Sequence, residues 1–461
     1  MPASDSLVYH MAEWLVSLRR GAVPLPVWHI ARRAVIDTVG VALAGSMTRT
    51  ARTVEHVARL RYRSGHAAVW GRQTLLSAPG AAFVNGVAAH VLDFDDNSYA
   101  GFVHASAVVV PAALAAAQEQ DRSGADFLLA YIAGAECEFA LATALGGAPY
   151  DHGWWTTSLF GATGSCAAAC YALGLGIEAT ANALGLAIVG SAGTKAGFGS
   201  DAKSLLVGRT AENGVMLALL ARDGITGPRQ PIEAAHGLAK LSGSECFDAA
   251  AFESLGQSWR LRQPGIDIKR IPVCLSSHAA VDALREIIGE RVANPGIVRI
   301  VCDVPPIVVK NLMYARPRTA QQAQFSMPFA LAATLMHGNP SLALLNDAAV
   351  TDAALQEVMR RVEMVSSDRW DAPELRRSAP EGAWVQVFFA DGSTAERFRA
   401  MPKGSASDPL TTAEIEAKFL ACSDPVLGAS GSRRILNTLN AVDRLASVRV
   451  LFADGTPGSA P

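Results

Sequence analysis

Charge is scarce in this chain. Only 18% of its 461 residues are Asp, Glu, Lys or Arg, and the 40 basic and 42 acidic side chains nearly cancel. No run of Lys or Arg forms a stripe that could neutralise several phosphates, so no nucleic-acid partner is expected. Apolar stretches such as SAVVVPAALAAAQEQ and ANALGLAIVGSAG are broken by polar residues or Gly. They stop short of the roughly 20 residues a membrane span needs, and no membrane partner is expected. The opening MPASDSLVYHMAEWLVSLRRG carries Asp5 and Glu13 within its apolar pattern and lacks a basic n-region, which argues against a signal peptide. There is no repeat, no low-complexity tract and no Walker or dinucleotide fingerprint. The glycines of GLGIEATANALGLA follow no predicted strand, so helix packing and capping account for them better than a phosphate loop. The seven cysteines are scattered, odd in number and mostly set among apolar neighbours, the usage of a reducing, cytoplasmic compartment. Cys166 and Cys170 share a helix face, yet no partner at zinc spacing accompanies them.

What is present is apolar material. Half the residues are hydrophobic, enough for a large core and more than one domain. From about residue 7 to 260, apolar residues recur at three- and four-residue spacing, as in VWHIARRAVIDTVGVALAG and ADFLLAYIAGAECEFALATAL. The abundant Ala and Gly on these faces predict closely approaching helices. Near RLRQPGIDIKRIPVC the texture changes to β-branched runs punctuated by Pro and Asp-Gly: VRIVCDVPPIVV, VEMVSSDRW and WVQVFFADGSTAERFRAMP. QAQFSMPFALAATLMHG interrupts them as a helix. TTAEIEAKFLACSDPVLG and ILNTLNAVDRLASV then return to helical spacing behind a capping-box-like Thr411 or Thr412. The expected fold is mainly α: a large helical domain from residues 1–263 and 403–461, and a smaller α+β lid from 264–402.

Chemistry concentrates in three segments. In VLDFDDNSYAGFVHAS, residues 91–106, Asp93, Asp95 and Asp96 close an apolar helix and His104 follows. Closely spaced carboxylates on a helix end can hold Mg²⁺, as prenyl-diphosphate enzymes do, but no second ligand cluster appears near TAENGVMLALL. Alternatively Asp95 and Asp96 cap the loop, their oxygens bonding backbone donors. In AGFGSDAKSLLVG, Lys203 follows a Gly-rich turn and precedes a helix, a position suited to a substrate carboxylate. In KRIPVCLSSHAAVDAL, Lys269, Arg270, Cys274 and His278 gather at the domain junction, where ligand clefts are favoured.

In this order the segments resemble the MmgE/PrpD family, which contains 2-methylcitrate dehydratases, cis-aconitate decarboxylases and an iminodisuccinate epimerase. The resemblance is carried by VIDTVGVALAG, AAFVNGVAAHVLDFDD with His104, AGFGSDAKSLLVGRTAENGVMLALLARDGITGP, KRIPVCLSSHAAVDAL and YARPRTAQQAQFSMPFALAATLMHG, over residues 10 to 440. It implies a helical body with an α+β lid, a homodimer, and an interdomain site without metal or organic cofactor that acts on a small carboxylate. Carried over by position, it makes Asp93, His104, Tyr150, Lys203 and Tyr314 catalytic. Lys269, Asn97, Trp155, Cys274 and His278 line the substrate. Asp93 is expected to orient or tune His104.

Departures bear on the activity. GWWTTS places Trp155 where many members carry a histidine, with His152 three positions out of register. Leu206 replaces the His of the K-x-LH-x-G pattern, and Cys274 stands at a position that is His in the decarboxylase branch. Indole in place of imidazole removes a proton donor and adds an apolar face, favouring a smaller or less polar acid than citrate. A lyase losing water or CO2 by acid-base proton abstraction is the leading expectation. The runner-up is an isomerase, epimerase or cyclase with Tyr150 and Lys203 on opposite sides of one acidic carbon. A metal-dependent prenyl enzyme and a ligand-binding descendant without activity stand behind these.

Overall fold

The computed structural model describes residues 6–244, 247–290 and 296–452, and is 59% helical with 8% strand, a mainly α protein. The body is built from long helices, chiefly Leu25–Gly45, Ala78–His90, Ala105–Glu119, Gly124–Leu145, Thr156–Leu173 and Ala202–Arg222. Their starts carry ordinary signals: Pro in the first turn of Leu25–Gly45 and of Ala78–His90, and the Ser123 hydroxyl accepting from Asp126 N ahead of Gly124–Leu145. Every residue of Ala78–His90 is buried, so this helix is packed on all sides and has no polar stripe. Small residues permit that. A Cβ on Gly208 would stand 2.5 Å from the Phe83 carbonyl of the neighbouring helix.

Helix Gly124–Leu145 is long and apolar enough to cross a membrane, which the reading of the sequence had not anticipated. Yet 94% of its most apolar window is buried inside the protein, and it carries the buried Glu136 and Glu138. It is the central helix of the core.

The C-terminal helix Thr412–Asn440 opens on a full capping box of Thr411 and Glu414 and kinks at Gly428. It lies along Leu25–Gly45. A Cβ on Gly40 would meet Phe419 at 2.9 Å, and Lys418 pairs with the buried Asp37 at 2.6 Å. One continuous core thus joins residues 8–268 to 410–452.

A second core spans residues 271–389. Its four-stranded sheet runs Val362–Val365, Ile297–Asp303, Ala383–Phe389, Thr394–Arg399, the first pair parallel and the others antiparallel. The Asp391-Gly392 turn sets the register Phe388 to Thr394, and burial alternates strictly along Ala383–Phe389. VRIVCDVPPIVV is only half a strand. It ends at Asp303, and Pro306 begins the helix Pro306–Asn311, because its fixed φ suits a first helical turn. The described cysteines are free, and Cys246 lies outside the described residues.

Candidate active site

Two lysines from distant segments converge on Asp93. After helix Ala78–His90 the backbone turns back through Asp93 in the left-handed region, φ 49, a conformation costly for a residue with a side chain. That turn aims the carboxylate at Lys203, whose ammonium ion-pairs with Oδ1, and at Lys269, whose Nζ lies 2.9 Å from Oδ2 and 2.9 Å from the Asp93 carbonyl. All three residues are buried. Burial alone would raise the Asp93 pKa, but the two ammonium groups outweigh it and hold the carboxyl far below its ordinary value. Burial works to lower the Lys269 pKa, and Asp93 and Asp95 reverse it, so this amine stays charged. The triad alone carries one positive charge in excess, and the ionised Asp95 behind the histidines balances it, so the two ammonium groups are held charged and in place where a carboxylate could meet them.

Lys203 is also caged by rings. Its Nζ lies 4.8 Å from the centroid of Trp155, 5.3 Å from Phe198 and 5.0 Å from Phe325, the last contributed by the C-terminal part of the chain. The three aromatics form one buried cluster with Leu206, Cys274 and Tyr314 packed against it. Tyr314 donates to the Phe198 carbonyl at 3.2 Å. A Cβ on Gly199, whose φ is +77, would lie 2.3 Å from that phenol oxygen, so glycine is required for the approach.

The carboxylate on His104 is Asp95, not Asp93 as expected. His104 Nδ1 lies 2.7 Å from the Asp96 carbonyl and 3.3 Å from Asp95 Oδ2, while His90 Nδ1 lies 2.7 Å from the same oxygen. Both Nδ1 atoms therefore carry the hydrogen and both Nε2 atoms present lone pairs, an assignment made from the bonding network. Burial lowers both histidine pKa values, that of His90 to about 4, with Asp95 opposing; both rings are neutral at neutral pH. The His90 side chain is 0% exposed and that of His104 10%, which makes His104 the ring open to a reactant.

Asp96 has the bland role. It accepts from Ser106 N and Oγ at the start of helix Ala105–Glu119, and Ser106 Oγ reaches Tyr131 OH at 2.8 Å. Burial pushes its pKa up to about 7.

On the other wall Tyr150 donates to Asn311 Oδ1 at 2.7 Å, and Asn311 Nδ2 donates to Ser276 at 3.1 Å. Ser276 donates to Glu381, which also accepts from Tyr99 at 2.9 Å. This chain of hydrogen bonds ties the helical core to the segment that carries the second core. Burial raises the pKa of Tyr150, of Glu381 and of Cys274, the last to about 11, so phenol and thiol stay neutral. Asn97 bridges main chain to main chain with Asp267, at 2.9 and 2.7 Å, and its Nδ2 is buried without a partner among the described residues. His90 Nε2, Asp95 Oδ1 and Trp155 Nε1 are likewise unpartnered. Unmatched buried atoms cost roughly 1–3 kcal/mol each, so these four are free to bond a polar group that enters the site.

Two histidines, the expected His278 and the out-of-register His152, have main-chain partners. His278 is buried with Nε2 3.0 Å from the Val273 carbonyl, and burial lowers its pKa to about 3; it braces the Cys274 loop. His152 is exposed and turned to the Ser242 carbonyl at 3.2 Å. The reading of the sequence missed His90, Asn311, Glu381 and Lys195. Only His90 carried a signal, since it ends the helix five residues before Asp95.

His90, Asp95 and His104 offer three ligand atoms within 4.8 Å of one another, enough to grip a metal ion. The neighbouring Lys203 and Lys269 charges, both of which depress the His104 pKa, work against a dication there. The trio is better suited to sharing protons than to ligating metal.

Two family models match most of this chain. The MmgE/PrpD N-terminal domain matches residues 9–247 and the MmgE/PrpD C-terminal domain residues 271–444, so the chain belongs to the MmgE/PrpD family. Among its relatives is the cis-aconitate decarboxylase-like protein oryM of Aspergillus oryzae, 26% identical over 96% of both chains. Human cis-aconitate decarboxylase is 26% identical over 91% of this chain and 88% of its own. The Aspergillus terreus cis-aconitate decarboxylase is 24% identical over 98% and 96%.

Proposed function

We propose that this protein is a lyase that removes CO2 from a small di- or tricarboxylate using side chains alone. The observation that carries the proposal is the buried Asp93–Lys203–Lys269 triad, two fixed ammonium groups beside the neutral His104 and Tyr150. Loss of CO2 leaves an electron pair on carbon, stabilised when it delocalises into a second carboxylate. Fixed ammonium groups beside that carboxylate lower the barrier without reorganising, the largest single contribution in many enzymes. A proton then closes the new C–H bond, and the Tyr150 phenol, neutral and held by Asn311, is the donor. A bound dianion raises the His104 pKa again, so the imidazole takes up a proton and donates to the substrate from Nε2.

Trp155, Leu206 and Cys274 stand where this chemistry elsewhere meets imidazoles, and with Phe198 and Phe325 they make one side of the site apolar. The substrate is therefore a smaller or less polar acid than citrate. With this reading go a homodimeric, cytoplasmic enzyme and activity without nucleic acid, membrane, metal or organic cofactor. Incubation in D2O with cis-aconitate and smaller unsaturated diacids tests it. Product lighter by CO2 and carrying one deuterium supports the lyase; deuterium exchange without loss of mass would instead make Tyr150 and Lys203 the opposed bases of an isomerase.

A further inference from the structure

Lys203 and Lys269 share their carboxylate, but a third lysine, on the Tyr150 wall, has none. Lys195 begins the short turn Lys195–Gly197, pinned to the Tyr150 loop by its N–H donating to the Gly153 carbonyl at 2.9 Å and by the Trp154–Thr194 bridge. Its Nζ stands 3.5 Å from the centroid of the Tyr150 ring, which also stacks on Phe102 at 5.0 Å. Among the described residues it forms no ion pair. The side chain is half-buried, so the ammonium is partly stripped of water yet reachable.

We propose that Lys195 is a second carboxylate anchor, holding the far carboxylate of a diacid over the edge of Tyr150 and selecting diacids over monoacids. This rests on the carboxylate-substrate reading above and adds the residue that sets the number of carboxylates. The chemistry follows from what surrounds the amine. Asp151 is exposed, Lys310 is a second cation, and Glu381 and Cys274 are buried groups whose pKa values are raised. None is a committed counter-ion. An ammonium in such surroundings gains more from an incoming carboxylate than a fully hydrated one does, because less water has to be displaced. Stacking on Tyr150 fixes the anchor relative to the phenol that delivers the proton, so the bound acid is aligned with its donor.

Charge state gives a second handle. Burial lowers the Lys195 pKa to about 8, with Asp151, Cys274 and Glu381 opposing and Lys310 assisting. The anchor is thus charged below about pH 8 and fades above it. Arginine at the same place would keep its charge.

Isothermal titration calorimetry on the full chain, with succinate and butyrate as probes, tests the proposal in the wild type, Lys195→Met and Lys195→Arg. The wild type should bind succinate at least about tenfold more tightly than butyrate, the worth of one charge-assisted contact. Lys195→Met should erase the preference while leaving butyrate affinity unchanged. Lys195→Arg should retain it above about pH 8, where the wild type loses it. A Met variant that keeps the diacid preference overturns the anchor alone. Equal binding of both acids by the wild type does the same, and binding of neither overturns the carboxylate reading and the anchor with it. Should the Met variant not fold, the comparison of wild type with Arg across pH decides, and identical pH dependence overturns the anchor.

Discussion

Asp93→Asn strips two buried ammonium groups of the carboxylate they share. At an effective dielectric constant of 20, unit charges about 3 Å apart attract by roughly 5 kcal/mol, and Asp93 makes two such contacts. Much of that only offsets the desolvation of three charges, so the net loss should resemble that of a broken buried pair, about 3–5 kcal/mol. A chain of 461 residues unfolding as one unit has an entropy near 1 kcal/mol per degree, so the melting temperature should fall by roughly 3–5 °C. Calorimetry of the two proteins gives that number. The pH dependence supplies the control. The Asp93 pKa is depressed in the folded state, so its stabilisation is present above the unfolded value, 3.8, and drains away as pH falls below it. The gap between wild type and variant should therefore narrow in acid. Turnover should drop at least about 100-fold, since the lysines would no longer be held in place. A variant that melts with the wild type at neutral pH would refute the reasoning, because the triad would then hold nothing together.

Other outcomes follow from the same geometry. His104→Gln should reduce turnover by about 10²–10⁴-fold with little change in melting temperature; a large melting shift would make His104 structural. Titration of wild type with succinate in buffers of different ionisation enthalpy should show proton uptake, and none would contradict the neutral resting imidazole. Asp96→Asn should gain on the wild type as pH rises from about 4 to 7 and hold a constant advantage above that. The folded Asp96 keeps its proton to about pH 7, so ionisation there costs up to roughly 4 kcal/mol that Asn does not incur; a pH-independent difference would exclude it. Trp155→His should shift preference toward more polar tricarboxylates, and an unchanged substrate profile would count against the apolar wall. Activity should survive EDTA; a loss restored by one metal would point back to His90, Asp95 and His104.

Periodicity made the helices legible, and Asp391-Gly392 between β-branched runs made the hairpin legible. Pro306 misled, because a β-branched run after a proline serves a helix start as readily as a strand. The DFDD cluster was visible as chemistry, but not which aspartate meets which partner. That is decided by the left-handed turn at Asp93, which sends successive carboxylates to different sides, and spacing along a sequence does not encode it. Lys195 and Glu381 were invisible for a different reason. Each is a single charged residue in a loop, and its significance lies in contacts with Tyr150 and with Tyr99 and Ser276, made only by the folded chain.

The step proposed for this site is cleavage of a carbon–carbon bond to a carboxylate. Mass spectrometry of the products of cis-aconitate and smaller unsaturated diacids in D2O tests it most directly. Release of CO2 with one solvent deuterium in the product, abolished in Lys203→Met, is the predicted result. Loss of water, or exchange at carbon with the mass otherwise unchanged, would contradict it.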